Sequence, residues 1–264
     1  MSSPVITLLS DFGLQDGYVA SMKGVILEIC PDAVLVDISH LIAPQNVRSG
    51  AFVLYASYEY FPQGTVHLAV VDPGVGTERG TVAIRTEQFF FVGPDNGLFS
   101  LVLRKEADRE ARRLENRQFM RSPLSSTFHG RDLFAPVAAH LARGVPFDTL
   151  GPACAPISPR WGEPPIGKGK VAGEVIHIDR FGNAIVNVLS ETLERQGPGE
   201  KWSITAGKST INCIRQTYGQ AKTGEALALT GSTGFIEIAV NHGNAASELG
   251  LEVGTGVVFR LAEF

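Results

Sequence analysis

The run Val71-Asp72-Pro73-Gly74-Val75-Gly76-Thr77-Glu78-Arg79-Gly80 places a carboxylate and a guanidinium on either side of a glycine-rich turn. Glycine lets backbone approach a ligand closely, Pro73 stiffens the turn, and Asp72 with Arg79 can form a charge-assisted bidentate pair. The same residues also suit an ordinary turn carrying a surface ion pair. A phosphate cradle is disfavoured, because no Lys-Ser/Thr follows the glycines and the loop opens a strand rather than a helix. Asp11-Phe12-Gly13 has only a superficial likeness to a kinase motif, since the accompanying kinase motifs are absent.

A second loop, Phe128-His129-Gly130-Arg131-Asp132, precedes a helical pattern. Asp132 suits a cap or a complement to the helix dipole, whereas His129 sits between an apolar anchor and a glycine, where an imidazole can meet a ligand. Asp37, His40, Asp72, His129 and Asp132 form an inventory of nitrogen and oxygen donors without any tight ligand spacing, so no metal site is expected. Ile178-Asp179-Arg180-Phe181-Gly182-Asn183 ends a strand at a glycine turn. Asn183 can pair with a donor and an acceptor on a purine edge, and Phe181 can face a ring; an Asx turn with Phe181 in the core accounts for them equally well. Thr230 to Ala246 adds a Ser-Thr loop, a strand and a helix start whose N–H groups can receive a purine nitrogen or a carboxylate, or can form a plain hairpin and cap.

The elements that must hold these loops alternate. Val5–Ser10, Ala33–Ser39 and Thr65–Val71 read as buried strands, separated by a helix capped by Asp16 with Val19, Met22, Val25, Ile26 and Ile29 on one face, and by a helix over Val47–Tyr60. Thr81–Ile84 and Gln88–Val92 read as a hairpin, Leu98–Leu103 and Asp132–Leu141 as helices. This predicts an α/β domain, 1–155, with a mostly parallel sheet layered with helices, whose ligands gather at the carboxyl ends of strands near Asp11, His40 and Asp72. Residues 156–169 are dense in Pro and Gly and read as a linker. Beyond them, Lys170–Asp179, Ala184–Val188, Trp202–Ala206, Ser209–Ile214, Ala226–Leu229, Phe235–Val240 and Gly256–Leu261 predict a smaller all-β domain, 170–264.

With 264 residues, 44% of them hydrophobic, and a net charge of −4, the chain can fill two cores and has no basic excess to suggest nucleic acid as a partner. No apolar run is long enough to span a bilayer, and three scattered cysteines fit neither a disulfide framework nor a zinc pattern. A cytoplasmic protein acting on a small molecule is the expectation.

Six segments, in order, give the chain a wider likeness: SDFG with DGYV, VDPGVGTERG, PDNG at Pro94 to Gly97, FHGRD, IDRFGN and GSTGFIEIAVNHGNAA. Together they resemble the S-adenosyl-L-methionine hydroxide adenosyltransferase family, hydrolase relatives of the fluorinating and chlorinating enzymes. The resemblance implies hydrolysis of S-adenosyl-L-methionine to adenosine and methionine, with that compound as substrate and no cofactor. It further implies that Asp72, Arg79 and His129 form the reacting triad and that Asp11 holds the ribose hydroxyls. Asp16, Asp179 and Ser232 then surround the methionine amine and carboxylate. Asn183 with the segment around Val240, Asn241 and Gly243 reads the adenine, and Phe181 and Phe235 form apolar walls. The site would lie between domains of adjacent subunits in a homotrimer.

This chain departs from the halogenating relatives in carrying Asp72 where they have Tyr, Gln45 where they have Trp, and no extra loop after the corresponding strand. A carboxylate beside the nucleophile repels halide and can accept a hydrogen bond from water. Thr233 stands where the fluorinating enzymes place an Arg in the methionine pocket. A metal-dependent hydrolase of a nucleoside-type substrate, and a non-catalytic adenosyl-ligand binder, remain alternatives at this point.

Overall fold

The computed structural model describes residues 3–159, 161 and 163–261. The chain forms two compact units, with the boundary after Ser158. Arg160 and Gly162 of the expected linker, and residues 1–2 and 262–264 of the expected domains, lie outside the described residues.

The first unit contains β1 (Val5–Ser10), α1 (Tyr18–Ile29), β2 (Val34–Ser39), α2 (Val47–Tyr55), β3 (Val66–Val70), β4 (Gly80–Thr86), β5 (Phe90–Asp95), α3 (Ser100–Lys105), β6 (Arg109–Arg113) and α4 (Ala135–Ala142). Its sheet runs β2-β1-β3-β5-β4-β6. The pairs among β2, β1, β3 and β5 are parallel, while β4 pairs antiparallel with both β5 and β6. Continuous burial of β1 and β3 is what a strand covered on both faces requires. Ile6, Leu8, Val66, Leu68 and Val70 pack with α1 and α4; Leu9, Ala69, Val82, Ile84 and Phe91 pack with α2 and α3 on the other face. Because β1 lies between β2 and β3, the chain leaves it in one direction and later returns on its other side. The carboxyl ends of β1 and β3 therefore flank a switch point, where open sheets collect ligands.

Several boundaries differ from expectation. α1 buries Val19, Met22, Val25 and Ile26, but Gly17 occupies its N-cap position and Asp16 makes no cap. The helix expected over Val47–Tyr60 ends at Tyr55, followed by a 3-10 turn at Tyr58–Tyr60; Asn46 caps its start by accepting the Ser49 N–H at 3.1 Å. Strand β6 was not expected. Its sequence, REARR, buries only Ala111, and its charges mark a sheet edge. Asp132 lies inside a π-type turn, Gly130–Phe134, which runs into α4.

The second unit contains β7 (Ile166–Gly167), β8 (Lys170–Ile178), β9 (Ala184–Leu189), α5 (Ser190–Glu194), β10 (Trp202–Ala206), β11 (Ser209–Asn212), β12 (Ile214–Arg215), β13 (Ala226–Thr230), β14 (Phe235–Val240), α6 (Ala245–Leu249) and β15 (Gly256–Leu261). The sheet order is β11-β10-β15-β8-β9-β14-β13-β12, with β7 beside β8. Part of the expected linker is thus a strand. β8 pairs with β15 through its first half and with β9 through its second, so one long strand joins both halves of the sheet. Val171, Val186, Trp202, Ile204 and Phe259 fill the core. The strand expected over Ser209–Ile214 breaks at Cys213, whose φ of 124° interrupts the ladder, and among the described residues short α-helices and 3-10 turns accompany the strands.

Candidate functional site

In the first unit, β3 delivers Asp72 just past its carboxyl end. Asn96, in the turn after β5, donates from Nδ2 to the Val71 carbonyl at 2.8 Å and so fixes the peptide before Asp72. Gly76 has a φ of 77°, and a Cβ there would overlap the Ser126 carbonyl oxygen. Glycine therefore supplies both the left-handed turn and the close approach that bring the 72–80 loop against the segment leading to His129.

Arg79 joins the two loops. Its Nε lies 2.8 and 3.0 Å from the Asp72 carboxylate oxygens, and its Nη2 donates both to Asp72 Oδ2 and, at 2.8 Å, to His129 Nδ1. The Asp72 and Arg79 side chains are only 5% and 10% exposed, which makes this a nearly buried, bidentate pair. The guanidinium also lies over the Phe134 ring, 5.4 Å from its centroid. A guanidinium only donates, so His129 Nδ1 accepts and the neutral ring carries its proton on Nε2. Burial first, and then the Arg79 charge, push His129 below the ordinary histidine range. Among the described residues, His129 Nε2 has no hydrogen-bond partner.

The surroundings hold His129 in place. Phe12, Tyr18 and Phe128 form a ring cluster with centroids 5.2–5.8 Å apart. Asp132, 1% exposed, accepts from Arg131 at 2.7 and 2.8 Å and from the Ser125 N–H at 3.0 Å, so it braces the loop instead of capping a helix. Asp11 is partly exposed beyond β1, with Oδ2 accepting the Gln45 N–H at 2.7 Å. Asp16 is exposed.

His40 and Asp37 take another course. Ser10 Oγ lies 2.7 Å from His40 Nδ1, His40 Nε2 lies 3.1 Å from Asp37 Oδ1, and Lys23 donates to Asp37 Oδ2 at 2.7 Å. Among the described residues, no three His, Cys, Asp or Glu side chains are grouped to hold a metal ion. The five donors of the sequence inventory do not meet in one place.

In the second unit, a cavity of about 720 Å³ is lined by Asp179, Phe181, Asn183, Ser232, Val240 and Asn241, together with Tyr218, Glu237, His242 and Gly243. The Asp179 carboxylate organises its wall, accepting from the Phe181 N–H at 2.8 Å, the Asn183 N–H at 2.9 Å and Asn183 Nδ2 at 2.9 Å. The second Nδ2 proton of Asn183 is directed at the Tyr218 hydroxyl, 3.4 Å away, so with both N–H donors engaged Asn183 offers a ligand its Oδ1 as an acceptor, not the two-way pairing its residue type allows. Phe181 is 77% exposed, which removes the core reading, whereas Phe235 is 1% exposed and is not among the residues lining the cavity. Asn241 donates from Nδ2 to the Ala221 carbonyl at 2.8 Å. The Thr233 hydroxyl is buried with no hydrogen-bond partner among the described residues. A second cavity, of about 770 Å³ around Trp202, Ile214 and Arg215, holds none of the expected residues.

Sequence reasoning missed Asn96, Tyr218 and Glu237. Asn96 lies within the PDNG motif, but its target, the backbone carbonyl of Val71 just past β3, has no local signature. Tyr218 and Glu237 lie on different elements and meet only through folding.

Comparison with known proteins places this geometry in a family. The SAM hydroxide adenosyltransferase N-terminal domain matches residues 6–151 and the corresponding C-terminal domain matches residues 173–258. A Thermus thermophilus protein named (R)-S-adenosyl-L-methionine hydrolase is 41% identical over 96% of this chain and 98% of its own length. A fluorinase from Actinoplanes sp. is 28% identical, over 97% of each chain. A crystal structure of an uncharacterized conserved protein from Thermotoga maritima superposes with a TM-score of 0.86 at 37% identity, covering 97% of this chain and 99% of that one. With both domain types in order along one chain, the protein belongs to the SAM hydroxide adenosyltransferase family.

Proposed function

We propose that the protein hydrolyses S-adenosyl-L-methionine to adenosine and methionine, with Asp72, Arg79 and His129 at the reacting centre. The observation that carries the reading is the Arg79 bridge, which ties a nearly buried carboxylate and a neutral imidazole into one unit, in a chain similar throughout to proteins named as hydrolases of this substrate.

Water attacks the ribose C5′ in line with the departing sulfur. The C5′–O bond forms as the C5′–S bond breaks, the electron pair returns to the positive sulfonium, and methionine leaves as a neutral thioether. No general acid is needed, and the reaction calls for no metal or cofactor. The attacking water must shed a proton. Asp72 keeps acceptor capacity beyond its contacts to Arg79, takes that proton as the C5′–O bond forms and gives it up to solvent when the products leave, while His129 Nε2–H orients the water oxygen. Arg79 holds both groups in the geometry a near-attack arrangement requires. Asp11 holds the ribose hydroxyls; Asp16, Asp179 and Ser232 attend the methionine amine and carboxylate; and Asn183, Val240 and Asn241 read the adenine beside Phe181.

The working form in this reading is a homotrimer whose sites are shared between subunits. Leu14, 68% exposed, follows Asp11 closely in sequence, and Leu41, 72% exposed, follows β2; both offer apolar surface for such contact. We place the protein in the cytoplasm, in keeping with three cysteines of which none is disulfide-bonded. Incubating purified protein with S-adenosyl-L-methionine and separating the products by chromatography tests the activity: adenosine and methionine in equal amounts are expected, and binding without turnover would overturn it. Full turnover by an isolated monomer would overturn the shared site.

A further inference from the structure

Asp11 and Gln45 lie beyond the carboxyl ends of β1 and β2, neighbouring parallel strands at the switch point of the first sheet. The loops that carry them are stitched together twice. The Gly13 N–H donates to the His40 carbonyl at 2.8 Å, and the Gln45 N–H donates to Asp11 Oδ2 at 2.7 Å. An N–H on a carboxylate is a charge-assisted bond, stronger than the backbone bond beside it. Among the described residues no donor reaches Asp11 Oδ1. One oxygen of this carboxylate is therefore held and the other is open.

Gln45 makes its bond from a strained backbone. Its φ is 66°, in the left-handed region that glycine and asparagine enter readily and β-branched residues do not. The residue is exposed, so burial of its side chain does not compensate for that conformation. What holds it is the start of α2. The Gln45 carbonyl accepts the Val47 N–H at 3.0 Å across Asn46, whose φ of −83° and ψ of 80° form an inverse γ-turn, and Asn46 caps the helix. Leu54 fixes that helix in the core. With α2 anchored, a return of Gln45 to negative φ would swing the preceding peptide, and its N–H, away from Asp11. Strain of this kind persists where the surroundings over-determine it, and such residues gather at ligand sites.

We infer that Gln45 is a positioning residue: its left-handed backbone aims its N–H at one Asp11 oxygen and so presents the other to the ribose hydroxyls. The inference rests on the reading of Asp11 given above, and goes beyond it in tracing the ribose preference to a backbone conformation in the neighbouring loop. The side chain at 45 then matters through φ, and tolerance falls in the order Asn, Ala, Thr.

The test uses the full-length protein with Gln45→Asn, Gln45→Ala, Gln45→Thr, Asp11→Ala and the double variant Gln45→Thr with Asp11→Ala. Calorimetric binding of adenosine is compared with that of 2′,3′-dideoxyadenosine, which lacks both hydroxyls, and KM and kcat are measured for S-adenosyl-L-methionine. Gln45→Thr should weaken adenosine about tenfold and 2′,3′-dideoxyadenosine by less than about twofold. Gln45→Asn should hold adenosine within about threefold, with Gln45→Ala between the two. KM should rise with the adenosine loss while kcat falls less. On the Asp11→Ala background, Gln45→Thr should cost adenosine nothing further, because both residues act through one contact. Equal losses for the two nucleosides, an additive loss in the double variant, or an undiminished preference for adenosine in a folded Gln45→Thr protein would each overturn the inference. Should Gln45→Thr fold poorly, equal adenosine binding by Gln45→Ala and Gln45→Asn would overturn it instead. Absence of turnover by the unmodified protein would overturn the hydrolase reading, while the nucleoside comparison still decides the role of Gln45.

Discussion

Two histidine–carboxylate constellations sit in the first unit, and their difference separates scaffold from site. Ser10, His40 and Asp37 have the residue types and distances of a nucleophile relay, at 2.7 and 3.1 Å. Yet Ser10 is fully buried, His40 is 3% exposed, and both His40 ring nitrogens are occupied. Ser10 Oγ also accepts the Phe12 N–H, and the His40 carbonyl accepts the Gly13 N–H at 2.8 Å. The relay therefore shapes the loop that carries Asp11. In the Asp72–Arg79–His129 set, by contrast, one histidine nitrogen is anchored and the other is left without a partner among the described residues. Hydrogen-bonding capacity that the fold leaves unfilled, more than residue type or distance, distinguishes a group that can act on a ligand from one that holds a loop.

Breaking the triad should give the largest effect. Asp72→Asn and His129→Ala are each expected to lower kcat for adenosine formation by about 10²-fold or more; His129→Ala should change the melting temperature little, whereas Asp72→Asn leaves the nearly buried Arg79 guanidinium without its counter-charge and should lower it as well. Comparable turnover in either variant would return these residues to the scaffold class. Arg79→Met removes one partner of a nearly buried pair and strands the Asp72 charge, so it should cost activity and also about 3 kcal/mol of stability, read by urea unfolding.

His40→Asn tests the other constellation. It leaves the buried Ser10 hydroxyl without its partner, and stability should fall by about 1–3 kcal/mol with a much smaller loss of kcat than in the triad variants. A kcat collapse without destabilisation would erase the contrast.

The smallest effects concern pH. His129 is pushed below the ordinary value of 6.5, so it stays neutral through that pH, and the acid limb of kcat/KM should lie below 6.5. A limb at or above that value would contradict the neutral, Nε2-protonated ring. His67 supplies a matching stability signal. It is enclosed by Tyr58, Phe61, Phe89 and Phe91, and burial pushes it down to about 3. The unfolded chain binds this proton first as pH falls. The stabilisation is therefore complete above 6.5 and is lost progressively as pH drops toward 3. His67→Phe should flatten that part of the pH–stability curve.

Much of the architecture was readable from the sequence because its signals are local. The apolar runs of β1 and β3 and the buried face of α1 follow from periodicity, and the Gly, Asn and Ser turns of the second unit punctuate its strands. What failed locally failed for identifiable reasons. β6 hides behind four charged residues because an edge strand needs little apolar surface, and Cys213 breaks a strand by a backbone angle its residue type does not announce. Asp16 and Asp132 are plausible caps by type, but the first caps nothing and the second is held by Arg131 and Ser125.

The sequence by itself determined the residue types available for chemistry, the alternation that builds a sheet covered on both faces, and, through six ordered motifs, the family. Those properties depend on near neighbours in the chain or on the motifs as written. Only the tertiary structure decided which capacities remain open. Arg79 occupies His129 Nδ1 from 50 residues away, Tyr218 meets Glu237 across 19, and His40 closes on Ser10 across 30. Hydrogen-bond valence is filled by whatever folding brings within about 3 Å, and separation along the chain carries no record of that.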